Sequence, residues 1–195
     1  MKNLELNVKD VLMKDYSSIE NASDAEMKEI LFQVLKWFKK RGFGNPFNYN
    51  RAFEWLQAEM LGFKLTTVGG GSDGENAEGI SAEFKATAYK GFTKNNVEKS
   101  HSFSYNGTTR KDNLEEQEKY CRTKIMRDPF HYWSMIDYVG GSFVKTLKVP
   151  SETVWKTLWP KWERSFHNVK AADPRIGGSV STNDLAAGEY EIIRH

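Results

Sequence analysis

Residues 80–89 read Ile80-Ser81-Ala82-Glu83-Phe84-Lys85-Ala86-Thr87-Ala88-Tyr89. Ile80, Ala82, Phe84, Ala86 and Ala88 alternate with Ser81, Glu83, Lys85, Thr87 and Tyr89, the two-residue period of a strand. The apolar set is expected to face a core. The other face then carries Glu83 and Lys85 side by side on a rigid element. Just upstream, residues 69–79 form a glycine-rich acidic loop that supplies Asp73, Glu75 and Glu78. Residues 69–84 hold four acids and no Lys or Arg, whereas residues 85–111 hold six bases and one acid, Glu98. That local asymmetry says more than the net charge of +2.

Working outward, a helix is expected over about residues 23–41. Ser23 and Glu26 fit a capping box, and Ile30, Leu31, Val34, Leu35 and Phe38 form its apolar stripe. A second helix is expected over 51–61, with Phe53, Leu56 and Met60 as its stripe and Gly62 as its stop. Residues 63–68 read as a short strand, 90–99 as a polar loop and 101–105 as a strand. A helix is expected over 112–126, with Asp112 and Glu115 as a second capping box. Residues 130–139 and 142–149 read as strands joined at Gly140-Gly141. Ser151 opens an aromatic helix with Val154, Trp155, Leu158, Trp159 and Trp162, kinked or split by Pro160. Residues 189–194 read as a closing strand. Helices first, then strands mixed with helices, imply an α/β or α+β fold, a central mixed sheet flanked by helices. The 195 residues suit one domain: a helical part over about 1–62, a sheet core over 63–150, and a C-terminal helix with a recognition or dimer segment over 151–195.

Composition excludes several classes. The chain is 39% hydrophobic, but 12 Phe, 8 Tyr and 6 Trp suffice for a core, so wholesale disorder is not expected. No apolar run approaches the ~18–20 residues of a membrane span, and Met1-Lys2-Asn3-Leu4-Glu5 has no signal-like apolar region. The single Cys121 excludes an intrachain disulfide and any multi-cysteine zinc site. The expectation is a soluble, cytoplasmic protein with no membrane partner.

Two carboxylates converging on one point make a hard-oxygen site suited to Mg²⁺, with Mn²⁺ as a substitute. Such an ion, shared with water and phosphate oxygens, polarises a scissile phosphate, and a neighbouring lysine orients the attacking water. Asp73, followed ten residues later by Glu83-Phe84-Lys85, resembles the signature of the PD-(D/E)XK nucleases. The compact spacing and the preceding helix and strand resemble type II restriction endonucleases in particular. The resemblance covers residues 51–89 and is looser beyond them. It implies a restriction-endonuclease-like fold, in which Asp73 and Glu83 bind Mg²⁺, the Phe84 carbonyl is a third ligand, and Lys85 acts on water. Glu54 on the upstream helix is the position matching an additional metal acid, ahead of Glu59. Ser72 stands where the family's proline precedes the aspartate, which leaves Glu75 and Glu78 as alternatives to Asp73.

Other readings have less support. Gly69, Gly71 and Gly74 fit G-x-G-x-x-G, but a strand rather than a helix follows, so no nucleotide cofactor is expected. There is no P-loop, since no Gly-Lys-Ser/Thr follows these glycines. His101, His131, His167 and His195 are too dispersed for a zinc cluster. The tryptophan stripe is expected to pack, and Cys121 to be a small buried side chain.

Residues 90–111 interleave bases with Asn, Ser and Thr, a pattern suited to phosphates and base edges. Lys90, Lys94, Asn95, Asn96, Arg110 and Lys111 are the candidate DNA contacts there, with Arg164, Lys170 and Arg175 in a second stretch. The leading expectation is a Mg²⁺-dependent type II restriction enzyme cutting double-stranded DNA as a homodimer. A repair or junction nuclease on the same fold, or a non-catalytic DNA-binding or protein-interaction module, are the alternatives.

Overall fold

The computed structural model describes residues 21–47, 50–67, 71–105, 109–137, 142–168 and 175–194. Among the described residues, four α-helices and two sheets make a mixed α+β fold. The described part opens with two helices, α1 (Asp24–Lys40) and α2 (Arg51–Leu61). Strands β1 (Phe63–Leu65), β2 (Gly74–Asn76), β3 (Ser81–Ala88) and β4 (Ser102–Tyr105) follow. Then come α3 (Leu114–Ile125), β5 (Phe130–Asp137), β6 (Ser142–Pro150), α4 (Ser151–His167), β7 (Gly178–Ser181) and β8 (Glu191–Arg194). The larger sheet has the order β1-β2-β3-β5-β6-β8, and β4 pairs with β7 in a separate two-stranded sheet. Among the described strands only β3 and β5 pair in parallel; the remaining neighbours are antiparallel.

The Ser23–Glu26 capping box forms as expected. Gly62 closes α2 at φ 74°, a left-handed position that glycine adopts without a Cβ clash. Three local expectations are corrected. The loop over 69–79 contains a strand, β2, because the backbone of β1 needs partners and finds them in Gly74, Glu75 and Asn76. The cap of α3 is Asn113, whose side chain accepts from Glu116 N at 2.9 Å, rather than Asp112. Of the two outcomes expected at Pro160, a kink or a split, the split is the one corrected: α4 is one helix from Ser151 to His167. The junction at Gly140-Gly141 lies outside the described residues.

Two apolar clusters sandwich the sheet. The larger joins Phe103, Tyr105, Cys121, Ile125, Trp133, Met135, Leu147, Val149 and the α4 residues Val154, Trp155, Leu158 and Trp162. At ~25 cal/mol per Å² of apolar area, each large side chain buried there contributes about 2 kcal/mol. The tryptophan stripe therefore packs: Trp155 and Trp162 are buried and Trp159 stacks on Trp155 at 5.1 Å. The smaller cluster, Ala58, Leu65, Ala82, Phe84 and Tyr132, lies between α2 and the sheet. Strand β3 thus buries Ala82 and Phe84 as expected, whereas Ile80 and Ala88 at its ends are exposed.

The stripes of α1 and α2 depart from their periodicity. In α1 only Phe38 is buried, and Leu31 is exposed. In α2 the buried residues are Arg51, Gln57 and Ala58, and Leu56 is exposed. Hydrogen bonding outweighs hydropathy here. Arg51 Nε donates to Phe43 O at 2.9 Å and Nη2 to Thr66 O, so its head satisfies carbonyls that helix and sheet leave over. Both β7 and β8 come from the C-terminal stretch, so that segment is woven into the two sheets. Among the described residues, no helix is long and apolar enough to cross a membrane.

Candidate active site

The period of β3 sets Glu83 and Lys85 on the face shared with His131 and Trp133, their register partners on β5. Lys85 Nζ hydrogen-bonds Glu83 Oε1 and donates to the Phe84 carbonyl at 3.2 Å. Asp73 ends the loop ahead of β2. Its backbone N–H donates to Ala82 O at 3.0 Å, and its Oδ2 accepts from Phe84 N at 2.8 Å. These two bonds fold the Asp73 side chain onto the Glu83-Phe84-Lys85 backbone. Gly74 makes the approach possible. A Cβ there would stand 2.7 Å from Phe84 Cε2, so the ring needs the space that glycine leaves.

The alternatives to Asp73 are placed elsewhere. Glu75 is exposed on β2, opposite Lys64 and Ser81, and Glu78 is exposed in the turn before β3. On α2, Glu54 points back to Arg51, with Nη1 to Oε2 at 2.7 Å, and lies within electrostatic reach of Asp73, Glu83 and Lys85. Glu59 is exposed.

Electrostatics separate the two carboxylates. Burial, then the charge of Glu83, pushes Asp73 up to about 7, and the Phe84 N–H and Lys85 only partly offset it. Burial also acts to raise Glu83, but Lys85 and Arg127 outweigh it and hold Glu83 below the usual range. For Lys85 burial acts downward, yet Glu83 and Asp73 overcome it, so its pKa is raised and it stays an ammonium. Side-chain exposures of 22% for Lys85 and 16% for Glu83 leave their ends within reach of solvent, though densely surrounded.

The donor set fits a divalent cation. Asp73 and Glu83 repel each other, as the raised Asp73 shows, and a cation between them removes that cost. The Phe84 carbonyl is beside them and engaged only by the Lys85 ammonium among the bonds described. Among the described residues, no group of three or more His, Cys, Asp or Glu side chains converges for a metal. Asp73, Glu83 and the Phe84 carbonyl are the groups of this site that could hold a divalent cation.

Sequence reading missed three neighbours. Arg127, in the α3–β5 connection, places Nη2 2.9 Å from Glu83 Oε2 and 2.9 Å from Asp128 Oδ2. Gln57 Nε2 faces Lys85 O at 3.1 Å, Tyr132 O at 3.3 Å and Ser134 Oγ at 2.8 Å, tying α2 to β3 and β5. Tyr105 lies under Lys85, its ring 5.3 Å from Nζ. Trp133 Nε1 donates to Tyr105 OH at 2.7 Å, so the hydroxyl donates to His131 Nδ1 at 2.9 Å and His131 Nε2–H donates to Ile125 O at 3.0 Å. That chain uses His131 as a core histidine. One signal was available in the sequence: Gln57, a polar residue amid the helix's apolar positions.

The candidate DNA contacts divide. Lys94, Asn95 and Asn96 are exposed at the tip of a closed loop, fixed by Thr93 N to Val97 O at 2.7 Å and Lys99 N to Gly91 O at 2.9 Å. Lys90 is exposed and donates to Ser100 O at 3.1 Å. Arg164 is exposed on α4, and Arg175 bridges to Thr109, joining the two candidate stretches. Arg110 Nη2 donates to Ser165 O at 3.3 Å and to Phe166 O, and its guanidinium lies 4.9 Å from the Phe166 ring. It caps the C-terminus of α4, where cations suit the exposed carbonyls. Lys111 is half-buried, its Nζ 4.5 Å from the Tyr120 ring. Lys170 lies outside the described residues.

No family model matches the chain, and no curated protein matches it.

Proposed function

We propose that this protein is a Mg²⁺-dependent endonuclease that hydrolyses phosphodiester bonds of double-stranded DNA in a sequence-specific manner, a type II restriction enzyme of the PD-(D/E)XK kind. The observation that carries this reading is the convergence of Asp73, Glu83 and Lys85, fastened by the Asp73 Oδ2 to Phe84 N bond. Bound Mg²⁺ (or Mn²⁺) supplies Lewis-acid polarisation of the phosphate and a more acidic water. Asp73 and Glu83 hold that charge in place. Lys85, kept as an ammonium, donates hydrogen bonds and opposes the negative charge that grows on the phosphorane, rather than taking the proton itself. Glu54 supports the acid pair from α2. Lys94, Asn95 and Asn96 on their fixed loop offer a cation and two amides to the duplex. A homodimer in the cytoplasm suits an enzyme that cuts both strands of a palindrome.

The test is digestion of a long natural duplex with Mg²⁺ by the wild-type protein and by Lys85→Ala. Discrete fragments from the wild type and none from the variant are expected. A smear or structure-dependent cutting supports a repair or junction nuclease instead. Full cleavage by Lys85→Ala refutes the site. A protein that binds no divalent ion, with or without DNA, is a non-catalytic module.

A further inference from the structure

The guanidinium of Arg127 is divided between two acids. Nη2 contacts Glu83 Oε2 at 2.9 Å and Asp128 Oδ2 at 2.9 Å, and Nε adds a second bond to Asp128 Oδ2 at 3.0 Å. Asp128 is the fixed partner. Its side chain is 1% exposed, and its backbone carbonyl accepts from Ser151 Oγ at the start of α4. One hydrogen bond and a second ion-pair contact thus tether Arg127 to a buried anchor, while Nη2 alone reaches Glu83.

With Lys85 on Oε1 and Arg127 on Oε2, both oxygens of Glu83 carry a cationic donor. A divalent ion on Glu83 must meet that guanidinium. Like charges at such range oppose each other strongly in partly buried surroundings. Arg127 has somewhere to turn. Its side chain is 33% exposed, and Nη1, with two N–H donors, makes no hydrogen bond to the protein among the described residues. The guanidinium lies beside Gly71, on the loop that carries Asp73; a Cβ at Gly71 would stand 3.5 Å from Nη1. A tethered planar fork with open donors at the mouth of an acidic site matches a phosphate oxygen.

We propose that Arg127 exchanges partners during the reaction cycle: it is the counter-ion of Glu83 in the empty site and a clamp on a non-bridging oxygen of the DNA phosphodiester in the filled one, with Asp128 holding it through both states. This rests on the nuclease reading for its substrate. The Glu83 contact and the Asp128 tether do not depend on that reading.

Two measurements on the full chain test it. Mn²⁺ binding without DNA, followed by the free-ion signal in electron paramagnetic resonance, is compared for wild type, Arg127→Gln and Arg127→Ala; glutamine keeps length and hydrogen bonding where alanine fails to fold. Loss of the competing cation is expected to tighten Mn²⁺ at least threefold. A merely structural role leaves that affinity unchanged or weakens it, and either result overturns the exchange. Duplex binding with Mn²⁺ is then compared for Lys85→Ala and Lys85→Ala/Arg127→Gln. A tenfold loss in the double variant is expected, and equal affinity overturns the clamp. If the wild-type protein cuts no duplex, the nuclease reading fails on that result alone, while the Mn²⁺ comparison still reads Arg127 by itself.

Discussion

Asp73 and Phe84 are joined by a side-chain-to-backbone bond, Oδ2 to N at 2.8 Å, that spans the turn between β2 and β3. It fixes one acid against the dipeptide that carries the other acid and the lysine. Asn at position 73 preserves an oxygen that accepts from the same N–H and removes only the charge. Asp73→Asn is therefore expected to fold, to lose cleavage by a factor of 10² or more, and to bind Mn²⁺ more weakly. Circular dichroism checks the first outcome, and cleavage and ion titration the others.

The same variant tests the sign of a pH effect. With Asp73 at about 7 in the folded, metal-free protein and near 3.8 in the unfolded chain, the folded state holds its proton more tightly. The resulting stabilisation is complete below about pH 4 and is lost as pH rises through 7. Metal-free wild type is expected to lose on the order of 1–3 kcal/mol relative to Asp73→Asn between pH 4 and 8. Mg²⁺ affinity follows the opposite course, weakening up to about tenfold per pH unit below 7 as protons compete for Asp73. Calorimetric melts and ion titrations across that range measure both.

Gly74→Ala places a methyl 2.7 Å from Phe84 Cε2 and 3.3 Å from Phe63 Cβ. Overpacking of this kind costs about 1–3 kcal/mol. Urea denaturation should show that loss. Cleavage should fall with it, because displacing the ring moves the strand that Asp73 grips.

Arg110→Ala and Lys94→Ala are expected to fail in different ways. The first removes the cap on α4 and should cost about 1–3 kcal/mol of stability. The second leaves stability alone and lowers the salt dependence of DNA binding by about one counterion. Binding isotherms at several ionic strengths, beside thermal melts, separate the two.

Hydrophobic alternation made β3 legible, and its two-residue period placed Glu83 and Lys85 together. Cap chemistry located α1, and Gly62 the end of α2. The buried face of α2 was hidden because Arg51 and Gln57 are held by backbone carbonyls that belong to distant residues. Strand β2 was hidden for a related reason: Gly74, Glu75 and Asn76 have little strand preference, and their pairing comes from β1 and β3. Arg127 lies 44 positions from Glu83, and no local spacing announces that contact. The sequence put Asp73 ahead of Glu75 and Glu78 by resemblance alone, because no local spacing announces its bond to the Phe84 N–H.

The parallel pairing of β3 with β5 also bears on synthesis. Parallel neighbours need a crossover, and here the chain runs from Ala88 through β4 and α3 before Phe130 returns beside Ala82. A nascent chain on the ribosome thus carries Asp73, Glu83 and Lys85 well before it has the strand that braces them. A translation product truncated ahead of Phe130 holds all three groups but lacks the β5 scaffold and the Ser151 hydroxyl that fixes Asp128, so an interrupted message yields a fragment in which the three groups are unbraced.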